Sequence, residues 1–228
     1  MPQSVYAADY EKNKEQAIIR VALSTSLPFR FSINRNAIVI CSSHVKETEN
    51  KNSQIPYLEL YPSHGPFEVR KGGAAGEIML IDSLGEATSF SGGLRISGKN
   101  KIDCGIEIKK RLYPGELEVS YESPKTGSNS EKIIVVNLVD LETYTEGVLQ
   151  GEVYPSWELE ALKAQAVAIR TYAMRKMEEN KDKDYDVDDT VLSQVYLGKN
   201  DVEIFKKAVS ETYGQILVYE GVPIKAHY

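Results

Sequence analysis

The sequence predicts an α+β protein, and three observations carry that expectation. Up to about residue 135 the chain is a series of short β-type runs broken by Gly, Asn and Pro. Beyond it the apolar spacing changes to a helical one. One long amphipathic pattern, from Trp157 to about Glu179, then dominates a C-terminal part completed by a second helix and short strands. With 228 residues, 42% hydrophobic and 26% charged, the chain is large enough to bury a real core.

The elements read as follows. Residues 1–17 form a polar start expected to be frayed, and the folded domain is expected over 18–228, β-rich to about 135 and helix-containing from about 136. "IIRVALS" (Ile18 to Ser24) and "AIVICS" (Ala37 to Ser42) read as strands, and "SSHVKETENKNSQ" as an exposed loop. "YLELYP", "EIMLIDS", "GGLRIS", "CGIEIKKRLY" and "GELEVSYES" continue the β pattern, and "KIIVVNLV" adds one more strand. Asp140 is placed to cap a short helix, "LETYTEGVLQ", with Leu141, Tyr144, Val148 and Leu149 on one side. Gly147 weakens that helix, because an interior Gly costs about 1 kcal/mol relative to Ala. "GEVYP" should break the chain, with Ser156 capping the long helix. A helix in "DVEIFKKAVSETYG" should end near Gly214, before the strands "QILVYEG" and "VPIKAHY".

Composition excludes several classes. The net charge of −6 and pI near 5.3, with no basic run, argue against nucleic acid as a partner. No window has the apolar length of a membrane span, and the N-terminus lacks the sections of a signal peptide. His44, His64 and His227 lack metal-ligand spacing, so neither a metal nor another cofactor is expected. Cys41 and Cys104 fall in no C-x-x-C or nucleophile pattern; buried thiols are the simpler reading, and one disulfide between them stays open. Asp182, Asp184, Asp186 and Asp188 alternate like a calcium loop, but Val187 stands where Gly is needed and Ser193 where a bidentate Glu is expected. "KGGAAGE" lacks the setting of a nucleotide fingerprint and reads as a β connection.

Chemistry concentrates around the long helix. Leu159, Leu162, Ala166, Ile169, Ala173 and Met177 form its apolar stripe; Lys163 and Arg170, seven apart, share one edge and Gln165 lies on the other. The plain reading of the two cations is snorkelling, with buried stems and hydrated heads. Glu152, between Gly151 and the Pro155/Ser156 break, is expected on the turn entering the helix. There a helix N-terminus would keep it ionised, whereas burial against Val153, Tyr154 and Trp157 would make it a proton donor. A carboxylate with two cations at a cleft edge suggests acid/base chemistry on an anionic ligand. The 14 Tyr and one Trp add rings that could stack on sugars.

The stretch "VNLVDLETYTEGVLQGEVYPSWELEALKAQAVAIRTYAMRK" (Val136 to Lys176) resembles the signature of the stage II sporulation protein D (SpoIID) family, which also includes amidase-enhancer proteins. The resemblance extends to "IRVALS" (Ile19 to Ser24), "YPGELEV" (Tyr113 to Val119), "SQVYLG" (Ser193 to Gly198) and "AVSETYGQILVYEGVPIKAHY" (Ala208 to Tyr228). It implies an α+β, extracytoplasmic cell-envelope protein whose partners are peptidoglycan glycan strands, with a cell-wall amidase as a further partner. The implied activity is lytic transglycosylation, with preference for strands stripped of stem peptides. Glu152 falls on the family's catalytic glutamate, and Lys163 and Arg170 on helix residues needed for activity; Gln165, Gln194 and Tyr196 also match. The lactyl carboxylate of peptide-free muramic acid is an expected ligand for Lys163 and Arg170. The resemblance leaves a rival, a non-catalytic wall-binding module that enhances an amidase. It also implies further residues after Tyr228, so the chain is expected to be shortened there, and His227 is read as an ordinary terminal histidine.

Overall fold

The computed structural model describes residues 6–9, 17–41, 57–99, 104–121 and 132–226, without the side chains of 6–9 and 41. The chain divides into two compact units, residues 23–138 and residues 1–22 with 139–228. The α+β expectation holds, with strands throughout and the described α-helices confined to the C-terminal part.

The 23–138 unit is built of antiparallel strands. One sheet has the order β11 (Arg111–Tyr113), β10 (Ile106–Ile108), β3 (Phe29–Ile33), β6 (Phe67–Lys71), β7 (Glu77–Ile81) and β8 (Ala87–Ser91). In β3 the side chains alternate buried and exposed, and the Phe31 ring stacks on Phe67 of β6 at 5.2 Å. A second set pairs β12 (Glu116–Tyr121) with β9 (Gly93–Gly98), then β4 (Ala37–Cys41), then β5 (Tyr57–Leu60). On its other side β12 pairs with β13 (Ile133–Asp140), whose end carries the chain out of this unit. Asn137 is wholly buried and donates from Nδ2 to Pro114 O at 2.8 Å and Glu116 O at 3.0 Å, which secures the turn before β12.

Two features of this unit depart from the expectation. "CGIEIKKRLY" is a hairpin rather than one run, turning at Lys109 and Lys110, both at positive φ (50° and 66°). A two-residue turn with that geometry normally announces itself through Asn or Gly, and here neither is present. The strands β3, β6 and β8 also went unread. "KGGAAGE" is the expected connection, joining β6 to β7. Cys104 is buried, while the side chain of Cys41 and the "SSHVKETENKNSQ" loop with His44 lie outside the described residues.

The other unit gathers the helices. β1 (Tyr6–Asp9) pairs antiparallel with β15 (Gln215–Tyr219), so the start expected to be frayed contains a strand. β2 (Ile18–Ala22) belongs here and pairs in parallel with β14 (Val187–Asp188). Helix α1 (Leu141–Glu152) begins as expected, Asp140 accepting from the amides of Glu142 at 3.0 Å and Thr143 at 3.1 Å. Helix α2 (Leu159–Glu179) packs on α1, on α3 (Glu203–Glu211) and on β15, and β16 (Val222–Pro223) closes the hairpin after β15. Leu162, Ala166, Ile169 and Ala173 of the expected stripe are buried; Leu159 and Met177, at its ends, are partly covered. Ser156 does not cap α2. The helix starts at Leu159 with Glu158 as its N-cap, which makes no side-chain capping bond, and the preceding turn returns the Trp157 amide to Tyr154 O.

Candidate functional site

Glu152 is the last residue of α1, not part of a turn leading into α2: the helix runs through Gly151 and ends at Val153. Two glycines explain why. A Cβ on Gly147 would stand 2.4 Å from Gly198 O and 2.6 Å from the Tyr196 ring, and one on Gly151 would stand 2.2 Å from Val195 O. The segment 195–198 therefore lies directly on the glycine face of α1. That contact brings the Val195 amide to Glu152, donating to Oε1 at 2.8 Å and fixing the carboxylate, which stays exposed. Gly151→Ala should gain about 1 kcal/mol of helix propensity and lose about 1–3 kcal/mol to overpacking against backbone. The variant is thus expected to melt at lower temperature, and a variant melting with the parent would mean that the 195–198 segment moves freely away.

Glu152 opens onto a hollow of about 370 Å³. Helix α2 contributes Tyr172, Arg175, Lys176 and Glu179; Val191, Leu192, Ser193 and Val195 form another wall, and Lys225 and Ala226 complete it. The α2 residues fall at i, i+3, i+4 and i+7, one continuous face. Glu179 Oε1 accepts from Arg175 Nε at 2.7 Å and Oε2 from Lys176 Nζ at 2.9 Å. These two cations, Arg175 foremost, hold the Glu179 carboxyl down at about 2, well below the usual carboxylate range.

The other expected site residues stand elsewhere. Arg170 is 1% exposed and buried in an ion pair: Nε and Nη2 reach the two Glu142 oxygens at 2.8 and 2.5 Å, and Nη1 donates to Gln215 O at 2.9 Å. A guanidinium so engaged has no surface to offer a glycan carboxylate, so the expected ligand contact gives way to a structural one. Lys163 pairs with Glu160 at 3.0 Å and Glu211 at 3.4 Å, the Glu160 bond above all raising its pKa, and it does not line the hollow. Gln165 lies two turns before Tyr172 on the same face of α2, without lining the hollow. Gln194 is buried, accepting from Tyr144 Oη at 2.9 Å and donating to Ile169 O at 3.3 Å. Tyr196, also buried, packs its ring 5.1 Å from that of Tyr144. Gln194 and Tyr196 thus pin the 193–198 segment to α1 and α2, and they serve Glu152 only through Val195.

Two of the alternating aspartates are structural too. Asp186 is buried against Arg20 at 2.5 Å, and Asp188 accepts from the Thr190 amide at 3.0 Å and Ser193 Oγ at 3.1 Å. His227 lies outside the described residues. Sequence reasoning missed Arg175, Lys176 and Glu179, although "TYAMRKMEE" carries their spacing; it also missed the role of Gly147 and Gly151, which the four-residue interval in "GVLQG" signals.

The unit thus presents a glycine-faced helix that ends in an exposed glutamate and packs on a long helix. Residues 129–219 match the family model SpoIID, stage II sporulation protein. An uncharacterized protein of Brachyspira hyodysenteriae is 45% identical over 101 residues, covering 43% of this chain and 27% of that protein. The amidase enhancer of Bacillus subtilis is 43% identical over 83 residues, covering 36% of this chain and 11% of its own length. Stage II sporulation protein D of the same organism is 38% identical over 109 residues, covering 41% and 32%. The chain thus spans roughly a tenth to a third of the length of these relatives.

Proposed function

We propose that this chain acts on the bacterial cell wall as a peptidoglycan lytic transglycosylase, with Glu152 as its single acid/base. The observation that carries this reading is the exposed Glu152 carboxylate, held by the Val195 amide at the edge of a hollow large enough to take part of a glycan strand. Protonated Glu152 gives its proton to the oxygen bridging N-acetylmuramic acid and N-acetylglucosamine, and that bond breaks through an oxocarbenium-like state. The carboxylate so formed then takes the proton from the sugar's 6-hydroxyl as that oxygen closes on C1. One carboxyl group suffices, no water enters, and the product ends in 1,6-anhydromuramic acid.

A hydrolase needs a second carboxylate about 5–10 Å away, free to act as base or nucleophile. Glu146 and Glu158, its neighbours in sequence, do not line the hollow. Glu179 does, but both its oxygens are committed to Arg175 and Lys176. Tyr172 in the hollow and the exposed Tyr154 and Trp157 on the connection before α2 offer rings for sugar faces. The name of one relative, an amidase enhancer, supports a second reading in which the chain binds the wall and stimulates an amidase without cutting glycan. Both readings place the protein outside the cytoplasm; no described helix is long and apolar enough to cross a membrane. Mass spectrometry of peptide-free strands after digestion separates the readings. Anhydro ends support the transglycosylase, new reducing ends a hydrolase, and intact strands the binding module.

A further inference from the structure

We propose that Arg175, Lys176 and Lys225 form an anion subsite beside Glu152 that reads a carboxylate on the bound glycan. This rests on the reading of the hollow as a glycan site and assigns its charge selectivity to residues other than Lys163 and Arg170. Three cations line the hollow against two carboxylates, Glu152 and Glu179. The surplus positive charge is what one ligand carboxylate would neutralise.

Donors remain to receive it. Arg175 uses Nε on Glu179 and Nη1 on Pro223 O at 3.2 Å, and its Nη2 has no partner among the described residues. Lys225 is exposed and makes no ion pair among the described residues. Glu179 works as an internal bracket: it holds Arg175 and Lys176 in place before any ligand arrives, with Lys176 Nζ 5.6 Å from the Tyr172 ring centre. Pre-positioned donors lose less side-chain freedom on binding, so more of each contact appears as affinity. A neutral sugar cannot use this arrangement, whereas a lactyl carboxylate can take charge-assisted bonds worth about tenfold or more in affinity.

The test is a calorimetric titration with two probes, peptide-free muramic-acid strands and the same strands with their carboxyl groups converted to methylamides. Glu152→Gln protein is used so that the strands are not consumed. Amidation is expected to weaken binding about tenfold, and added salt should shrink that difference. Lys225→Met should remove most of the difference while leaving affinity for amidated strands unchanged, and Arg175→Met should act in the same direction. Circular dichroism verifies that both variants are folded. The inference is overturned if both variants keep the parental ratio, if both probes weaken together, or if amidation has no effect. The transglycosylase reading fails separately, in a turnover assay, if the parent chain yields no anhydro ends; the binding ratio is read without turnover and stands independently.

Discussion

Glu152→Gln should bind peptide-free strands and release anhydro products about 10²- to 10⁴-fold more slowly than the parent, the range that positioned proton transfer contributes. The amide keeps the size of the carboxyl and its carbonyl oxygen can still accept from the Val195 amide, now 2.8 Å from Oε1, so the surrounding packing should survive. What it loses is the exchangeable acid proton and, in the second half of the reaction, the base. Melting temperature should therefore stay close to the parent while turnover collapses. Anhydro-end counting by mass spectrometry reads the rate, and unchanged turnover would remove Glu152 from the chemistry. Glu152→Asp retracts the carboxyl by one methylene and should also fall steeply, since misplacement of about 1 Å can cost 10²-fold.

Arg170→Ala should destabilise the helical unit rather than weaken one ligand contact. Its guanidinium ties α1 to the start of β15 by joining both Glu142 oxygens to Gln215 O, and Glu142 Oε1 also accepts from the Gly214 amide at 3.2 Å. Removing the cation strands a largely covered carboxylate, a loss of about 3–5 kcal/mol for breaking a buried pair. Against total stabilities of about 5–15 kcal/mol, that is a large fraction. Thermal unfolding should shift downward by on the order of 10 °C, with cleavage lost through unfolding. Arg170→Lys keeps the charge without the planar fork and should recover only part of the loss. An Arg170→Ala protein that melts with the parent yet fails to cleave would return this residue to the substrate.

These two variants also mark how far the sequence was legible. The apolar stripe of α2 and the cap at Asp140 were read correctly because both depend on residues within a few positions of each other. The seven-residue spacing of Lys163 and Arg170 put them on one edge of the helix, as it must. Periodicity does not say what stands opposite that edge, and for Arg170 it is Glu142 and Gln215, 28 and 45 residues away. Glu152 was singled out, yet its setting was misjudged. Gly147 was counted only as weakening the helix and Gly151 as opening the break at "GEVYP", where the helix tolerates both glycines because another backbone rests against them. Among the strands, Phe29–Ile33 and Ala87–Ser91 escaped notice. The first follows a Pro-bearing loop signal, and the second buries only Phe90.

The partner that orients Glu152 is a peptide N–H, and this shapes how the neighbourhood can vary. A main-chain donor is indifferent to the side chain it carries, so replacing Val195 by Ala, Thr or Ile should leave the glutamate's orientation and the cleavage rate nearly unaltered. Proline, which has no hydrogen to donate, should be the exception. Ala, Thr, Ile and Pro variants at this position, scored by wall-lytic activity, should therefore separate into three near-parental rates and one deep drop. Position 195 can thus change its side chain conservatively while keeping the bond that aims Glu152.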